Sequence, residues 1–145
     1  MGLRNPFSGR FDPVTGLLLV AEVGGNKQST AVEDLHYYDP TWTRDVNFGW
    51  PMCEGACDNA DFPTCDCMEH EQPLYHYAHN GFGHSITGGV IYRGSMFPAE
   101  YLGTIWVGDY VSGWIRVLNF NSTARTTSCK AVRVSTCSPL LTACP

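Results

Sequence analysis

Glycine and proline decide how long any regular segment of this chain can be. Fifteen glycines and nine prolines are spread through 145 residues. Glycine carries a large conformational entropy into the unfolded state, and proline lacks the amide hydrogen that a helix interior or central strand needs. What remains between them are brief apolar runs. Residues 17–21 (Leu-Leu-Leu-Val-Ala) lie between Thr15-Gly16 and Gly24-Gly25, and residues 104–107 lie between Gly103 and Gly108-Asp109. Short apolar runs with such flanks read as buried strands. Further strands are expected at 89–93, 114–118 and 130–134. Only 27–39 in the first half is free of Gly and Pro, and it keeps two readings open, because Ala31, Leu35 and Tyr38 also mark a face at helical spacing. The fold class expected is all-β.

Composition narrows the function. A hydrophobic fraction of 43% with 16% charged residues excludes a disordered chain. Nine Lys and Arg against fourteen Asp and Glu give a net charge of −5, so there is no basic footprint for nucleic acid or anionic lipid. No apolar run approaches the roughly 18–20 residues of a membrane helix. The first residues contain no apolar leader segment. Seven cysteines point to an oxidising compartment: Cys53, Cys57, Cys65 and Cys67 cluster, and Cys129, Cys137 and Cys144 follow in the tail. A disulfide-stapled loop is the expected reading. A zinc site is the alternative, poorly served by C-x3-C and C-x-C spacings. The odd thiol stays free or pairs outside the chain. Asn121-Ser122-Thr123 is an N-glycosylation acceptor and agrees with a secreted protein.

The two halves repeat. Gly16-Leu-Leu-Leu-Val-Ala-Glu22 lines up with Gly103-Thr-Ile-Trp-Val-Gly-Asp109, glycine first and an acid six residues on. Two four-stranded units, at 1–52 and 84–135, flank a cysteine-rich insertion at 53–83, with a tail at 136–145. They are expected to be two blades of a β-propeller. Closed propellers need about 4–8 blades, so two blades are part of a ring.

Five segments in order carry a family resemblance: Gly2-Leu3-Arg4-Asn5-Pro6, Ala21-Glu22-Val23-Gly24-Gly25-Asn26, Asn47-Phe48-Gly49-Trp50-Pro51, Ser85-Ile86-Thr87-Gly88-Gly89-Val90-Ile91-Tyr92-Arg93-Gly94 and Gly108-Asp109-Tyr110-Val111-Ser112-Gly113. Together they resemble the C-terminal part of the glucose/sorbosone dehydrogenase family, whose members include soluble quinoprotein aldose dehydrogenases. They are also similar to its cysteine-rich, extracellular Hedgehog-interacting-protein-like branch. The resemblance implies a six-bladed propeller, of which this chain is about two blades. It implies oxidation of a sugar at C1 with pyrroloquinoline quinone and calcium in the full-length protein, this chain alone being inactive. Arg4 and Asn5 match the pair that approaches the quinone. Gly24 and Gly25 fall where backbone carbonyls hold calcium, and Asp34 lies near the acids that support it. The family's histidine base lies upstream of the Arg-Asn-Pro motif, so His36, His70, His76, His79 and His84 inherit no catalytic role.

Some positions depart from the enzymes. Phe7 stands where bacterial members place Gln, Phe48 replaces a Tyr, and Trp114 stands where a basic residue often follows. Each removes a polar group from the cofactor face. The competing reading is therefore a non-catalytic secreted propeller that binds a protein partner, with 53–83 as the recognition loop. A truncated product without function of its own is the third. His76 and His79, at i and i+3, would point to opposite faces of a strand and make a poor metal pair. Asp12, Asp39, Asp45 and Asp109 are expected to make turn hydrogen bonds.

Overall fold

The computed structural model describes residues 1–27, 30–56, 70–79, 84–121 and 126–129. The cysteines at 57, 65, 67, 137 and 144, and the strand expected at 130–134, lie outside them. Eight strands run in order: β1 (Pro6–Phe11), β2 (Leu18–Glu22), β3 (Val32–Tyr38), β4 (Tyr75–Ala78), β5 (Ile86–Ile91), β6 (Ile105–Asp109), β7 (Trp114–Asn121) and β8 (Thr126–Cys129). They form two antiparallel four-stranded sheets, ordered β1-β2-β3-β4 and β5-β6-β7-β8, so each strand pairs with its neighbour in sequence. The protein is mostly β, as its glycine and proline spacing predicts. No helix among the described residues is long and apolar enough to cross a membrane.

The two aligned segments of the repeat become β2 and β6, each the second strand of its sheet, ending on Glu22 and Asp109. The ambiguous segment 27–39 resolves as strand β3, not a helix. Its side chains are almost all buried, on both faces, which hides the alternation that would have identified it. The fourth strand of the first sheet, β4, comes from inside the 53–83 segment read as an insertion, pairing Val32 with Ala78 and Leu35 with Tyr75. The strand expected at 89–93 begins earlier, at Ile86, and ends at Ile91.

The sheets pack face to face. One face of the first contributes Leu19, Ala21, Leu35 and Tyr37, and the second answers with Ile86, Ile105, Val107 and Leu118. Polar ties cross the same seam. Asp12, in the β1–β2 turn, accepts from Thr15 N at 3.1 Å and from Arg93 Nε and Nη2 at 2.9 and 2.7 Å. The Arg93 guanidinium holds the Asp12 carboxyl well below the usual carboxylate range. The turn role expected for Asp12 thus holds, and Arg93 of the second sheet joins it. Asp39 likewise accepts from Thr41 N at 2.9 Å.

Close approach of the sheets requires glycine at one point. The register of β5 against β6 shifts between Gly88 and Val90, and Gly89 sits in that irregularity with φ +81°. A Cβ there would lie 2.9 Å from Leu35 Cδ1 and 3.6 Å from Leu19 Cβ, across the seam. Gly89→Ala combines left-handed strain with overpacking, and should cost about 1–3 kcal/mol of stability. Urea unfolding would show this as a lower midpoint at unchanged slope. An unchanged midpoint would mean that the seam is looser than described.

Candidate functional site

Antiparallel order brings the start of β1, the ends of β2 and β4, the start of β5 and the end of β6 to one edge of the paired sheets. A cleft of about 440 Å³ opens there, lined by Arg4, Asn5, Gly24, Gly25, His79 and His84 among others. Four residues that the motif order assigned to one site, Arg4, Asn5, Gly24 and Gly25, therefore meet. Among the described residues no carboxylate lines the cleft, although Asp and Glu outnumber Lys and Arg in the chain.

Arg4 is held from several sides. Its Nη1 donates to the carbonyls of Val23 at 3.2 Å and Gly24 at 2.6 Å, and Nη2 donates to Asn26 Oδ1 at 3.1 Å. Its guanidinium carbon lies 5.5 Å from the Trp50 ring centroid. Its backbone N–H donates to Glu22 Oε1. Asn5 fixes the same corner, its carbonyl accepting from Val23 N at 3.0 Å. Gly24 is a glycine for want of room, since a Cβ would lie 2.1 Å from the carbonyl oxygen of Val32.

Buried acids support this edge. Glu22 Oε2 pairs with His36 Nε2 at 3.0 Å. Glu33, fully buried, accepts from Gly24 N at 3.2 Å, Ile86 N at 2.7 Å and His79 Nε2 at 2.6 Å. Asp34 follows it on the strand and so faces the other way. It lies outside the cleft, where its Oδ2 accepts from Gly55 N at 2.9 Å and its Oδ1 has no partner. Burial pushes the Asp34 carboxyl well up, and the charges of Glu22, Glu54 and Glu33 add to this. Glu54 accepts from Gly25 N and is also pushed up by burial.

In the second sheet Asp109 takes the place that Glu22 has in the first. It accepts from Ser85 N at 3.0 Å, Ser112 N at 2.6 Å and Tyr77 Oη at 2.6 Å, and its Oδ2 lies 3.3 Å from His84 Nδ1. Burial opposes its charge, but these donors and His84 outweigh it and hold the carboxyl below its ordinary range. The turn bond expected for Asp109 is present, and the same carboxylate also holds the cleft wall. Burial, reinforced by Asp109, pushes the Tyr77 phenol up, so Tyr77 stays a donor.

Of the expected calcium groups, the Gly24 carbonyl accepts from Arg4 and Asp34 is turned away beneath the β2–β3 connection. Among the described residues no three His, Cys, Asp or Glu side chains converge on one point. The guanidinium and carboxamides of the lining are of a type that can face an anion. Cys53 is disulfide-bonded. Cys129 ends β8, and Asn121 ends β7 and is exposed.

Sequence reasoning missed Glu33, Glu54, His79 and His84 as parts of this edge. The signal for Asp109 was present, since the repeat sets it opposite Glu22. No protein-family model matches the chain.

Asp34 yields a pH test. Its raised folded value means that the native state holds a proton the unfolded state gives up near pH 4, so stability falls as pH rises from there through the folded value. Asp34→Asn keeps an acceptor for Gly55 N and removes the buried charge. Urea midpoints from pH 4 to pH 8 should favour the variant increasingly at the upper end. A variant that loses ground as pH rises would contradict the direction.

Proposed function

We propose that the two sheets are adjacent blades of a six-bladed β-propeller of the glucose/sorbosone dehydrogenase type, and that the Arg4 cleft is part of a quinone-dependent site for aldose oxidation. One observation carries this reading: Arg4, Asn5, Gly24 and Gly25, from separate segments, line a single cleft with two imidazoles and no carboxylate. The face-to-face packing of consecutive four-stranded meanders supports the blade assignment.

The quinone, when bound, accepts the hydride from the sugar's C1. Arg4 and Asn5 are the residues of this chain that would hold it. A guanidinium offers a planar fork of donors to a carboxylate. The carbonyls of Gly24 and Gly25 are the groups of this chain that would hold calcium. No catalytic base is assigned within this chain.

A second reading has its own observation. Arg4 and the carbonyls of Val23 and Gly24 satisfy one another, so the corner holds together without a ligand, as a non-catalytic module that binds a protein partner through 53–83 would need.

Reconstitution of the full-length protein with pyrroloquinoline quinone separates the two. It is run with and without calcium, with a panel of aldoses and a dye acceptor. We expect quinone-dependent dye reduction, and Arg4→Ala should raise the quinone needed for half-maximal rate by about tenfold or more, the worth of a charged hydrogen bond. No quinone-dependent reduction with any aldose would overturn the enzyme reading in favour of the binding module.

A further inference from the structure

His79 and His84 stand on either side of the seam, one after the last strand of the first sheet and the other before the first strand of the second. Their rings are 5.3 Å apart, centroid to centroid, at 67°. Each ring has one nitrogen engaged. His79 Nε2 is on Glu33 Oε1 at 2.6 Å, and His84 Nδ1 is 2.6 Å from Ser112 Oγ and 3.3 Å from Asp109 Oδ2. With a proton on each engaged nitrogen, His79 Nδ1 and His84 Nε2 are the ring nitrogens open to a metal. His79 is only 4% exposed, and its Nδ1 has no hydrogen-bond partner. A buried ring nitrogen without a partner is costly unless something occupies it.

From this geometry we propose that His79 and His84 form a site for a borderline divalent transition metal, with Zn2+ as the reference ion. Three observations combine. Two imidazoles bound to one tetrahedral ion at ~2.0–2.1 Å bring their centroids to about 5 Å from one another, matching the separation seen. Histidine ligands usually give their other ring N–H to a carboxylate, a carbonyl or water, and here two buried acids, Glu33 and Asp109, serve. Both rings line the cleft, whose further polar groups include the carboxamides of Asn5 and Asn26.

A histidine on a buried acid is not sufficient by itself, as His36 demonstrates. It pairs with Glu22 and also has an unpartnered Nδ1, but its ring packs on Phe48 at 4.8 Å, and no second imidazole is paired with it. What sets the other pair apart is two rings facing one cleft. Two protein ligands leave two positions of a tetrahedral ion for water or a ligand oxygen, one protein ligand fewer than in a catalytic zinc site. Imidazole favours zinc, copper or nickel over calcium. The site is therefore distinct from the carbonyl site expected at Gly24 and Gly25, and it does not depend on the quinone reading.

Metal uptake by the full 145-residue chain, stripped with a chelator, tests the assignment without quinone or sugar. Zn2+ should bind at one ion per chain. Co2+ should give a nitrogen–oxygen ligand-field spectrum without a thiolate charge-transfer band. His84→Ala should weaken binding by about tenfold or more, whereas His76→Ala, at an exposed strand position, should leave it unchanged. His84 is the decisive position because removing His79 would orphan the buried Glu33. An NMR titration with Co2+ covers the case in which His84→Ala fails to fold. The ring protons of His79 and His84 should broaden first, ahead of those of His36, His70 and His76. Equal affinity in His84→Ala, a thiolate band, preferential broadening at another histidine, or no uptake at millimolar metal would each overturn the proposal.

Discussion

A single carboxylate, Glu33, joins the two sheets at the edge where the cleft opens. It has no solvent exposure, and burying a carboxylate is costly unless donors replace its water. Glu33 has three: the amides of Gly24 and Ile86 and the His79 ring. These belong to the β2–β3 connection, the first residue of β5 and the end of β4. One side chain therefore sets where the loop after β2 turns, where the second sheet starts and how the His79 ring stands. Asp109 does the corresponding work from the second sheet, through Ser85, Ser112, Tyr77 and His84. Below this edge the seam is apolar, from Leu19 and Leu35 to Ile105 and Leu118, and supplies most of the driving force.

The polar edge explains why the cleft has its character. The acids stand behind the lining, not in it, so what faces the ligand is a guanidinium, two imidazoles and carboxamides. A net charge of −5 describes the chain but not this surface. The same arrangement fixes ring orientation, since each imidazole is gripped on one nitrogen by a group that cannot move without leaving a buried charge unpaired. Pre-organisation of this kind lets a small cleft discriminate among ligands.

Much of the fold was legible because glycine and proline bound the strands and because the repeat set Glu22 against Asp109. The limits were physical. In β3, Glu33, Asp34 and His36 are as buried as Leu35, so neither period is visible in the hydropathy pattern. β4 is only four residues, Tyr-His-Tyr-Ala, with half-buried tyrosines, and nothing local separates it from the cysteine-rich loop before it. The site divides in the same way. Arg4, Asn5, Gly24 and Gly25 could be named because each lies in a local motif. The partner of His79 is forty-six residues away along the chain, and only the pairing of β3 with β4 brings them together. Asp34 lies on the far face because neighbouring residues on a strand face opposite sides, and a shift of one position separates the seam from that face.

The central claim is that Glu33 is the joint between the sheets, and amide hydrogen exchange of Glu33→Ala measures it most directly. In the parent protein the amides of Gly24 and Ile86 should be protected to a common degree, because they share one acceptor. In the variant both should lose protection together, while the strand-centre amides of Leu19 and Val107 keep theirs. Continued protection of Gly24 and Ile86 in the variant would contradict the account, because those two amides would then be held by something other than this carboxylate.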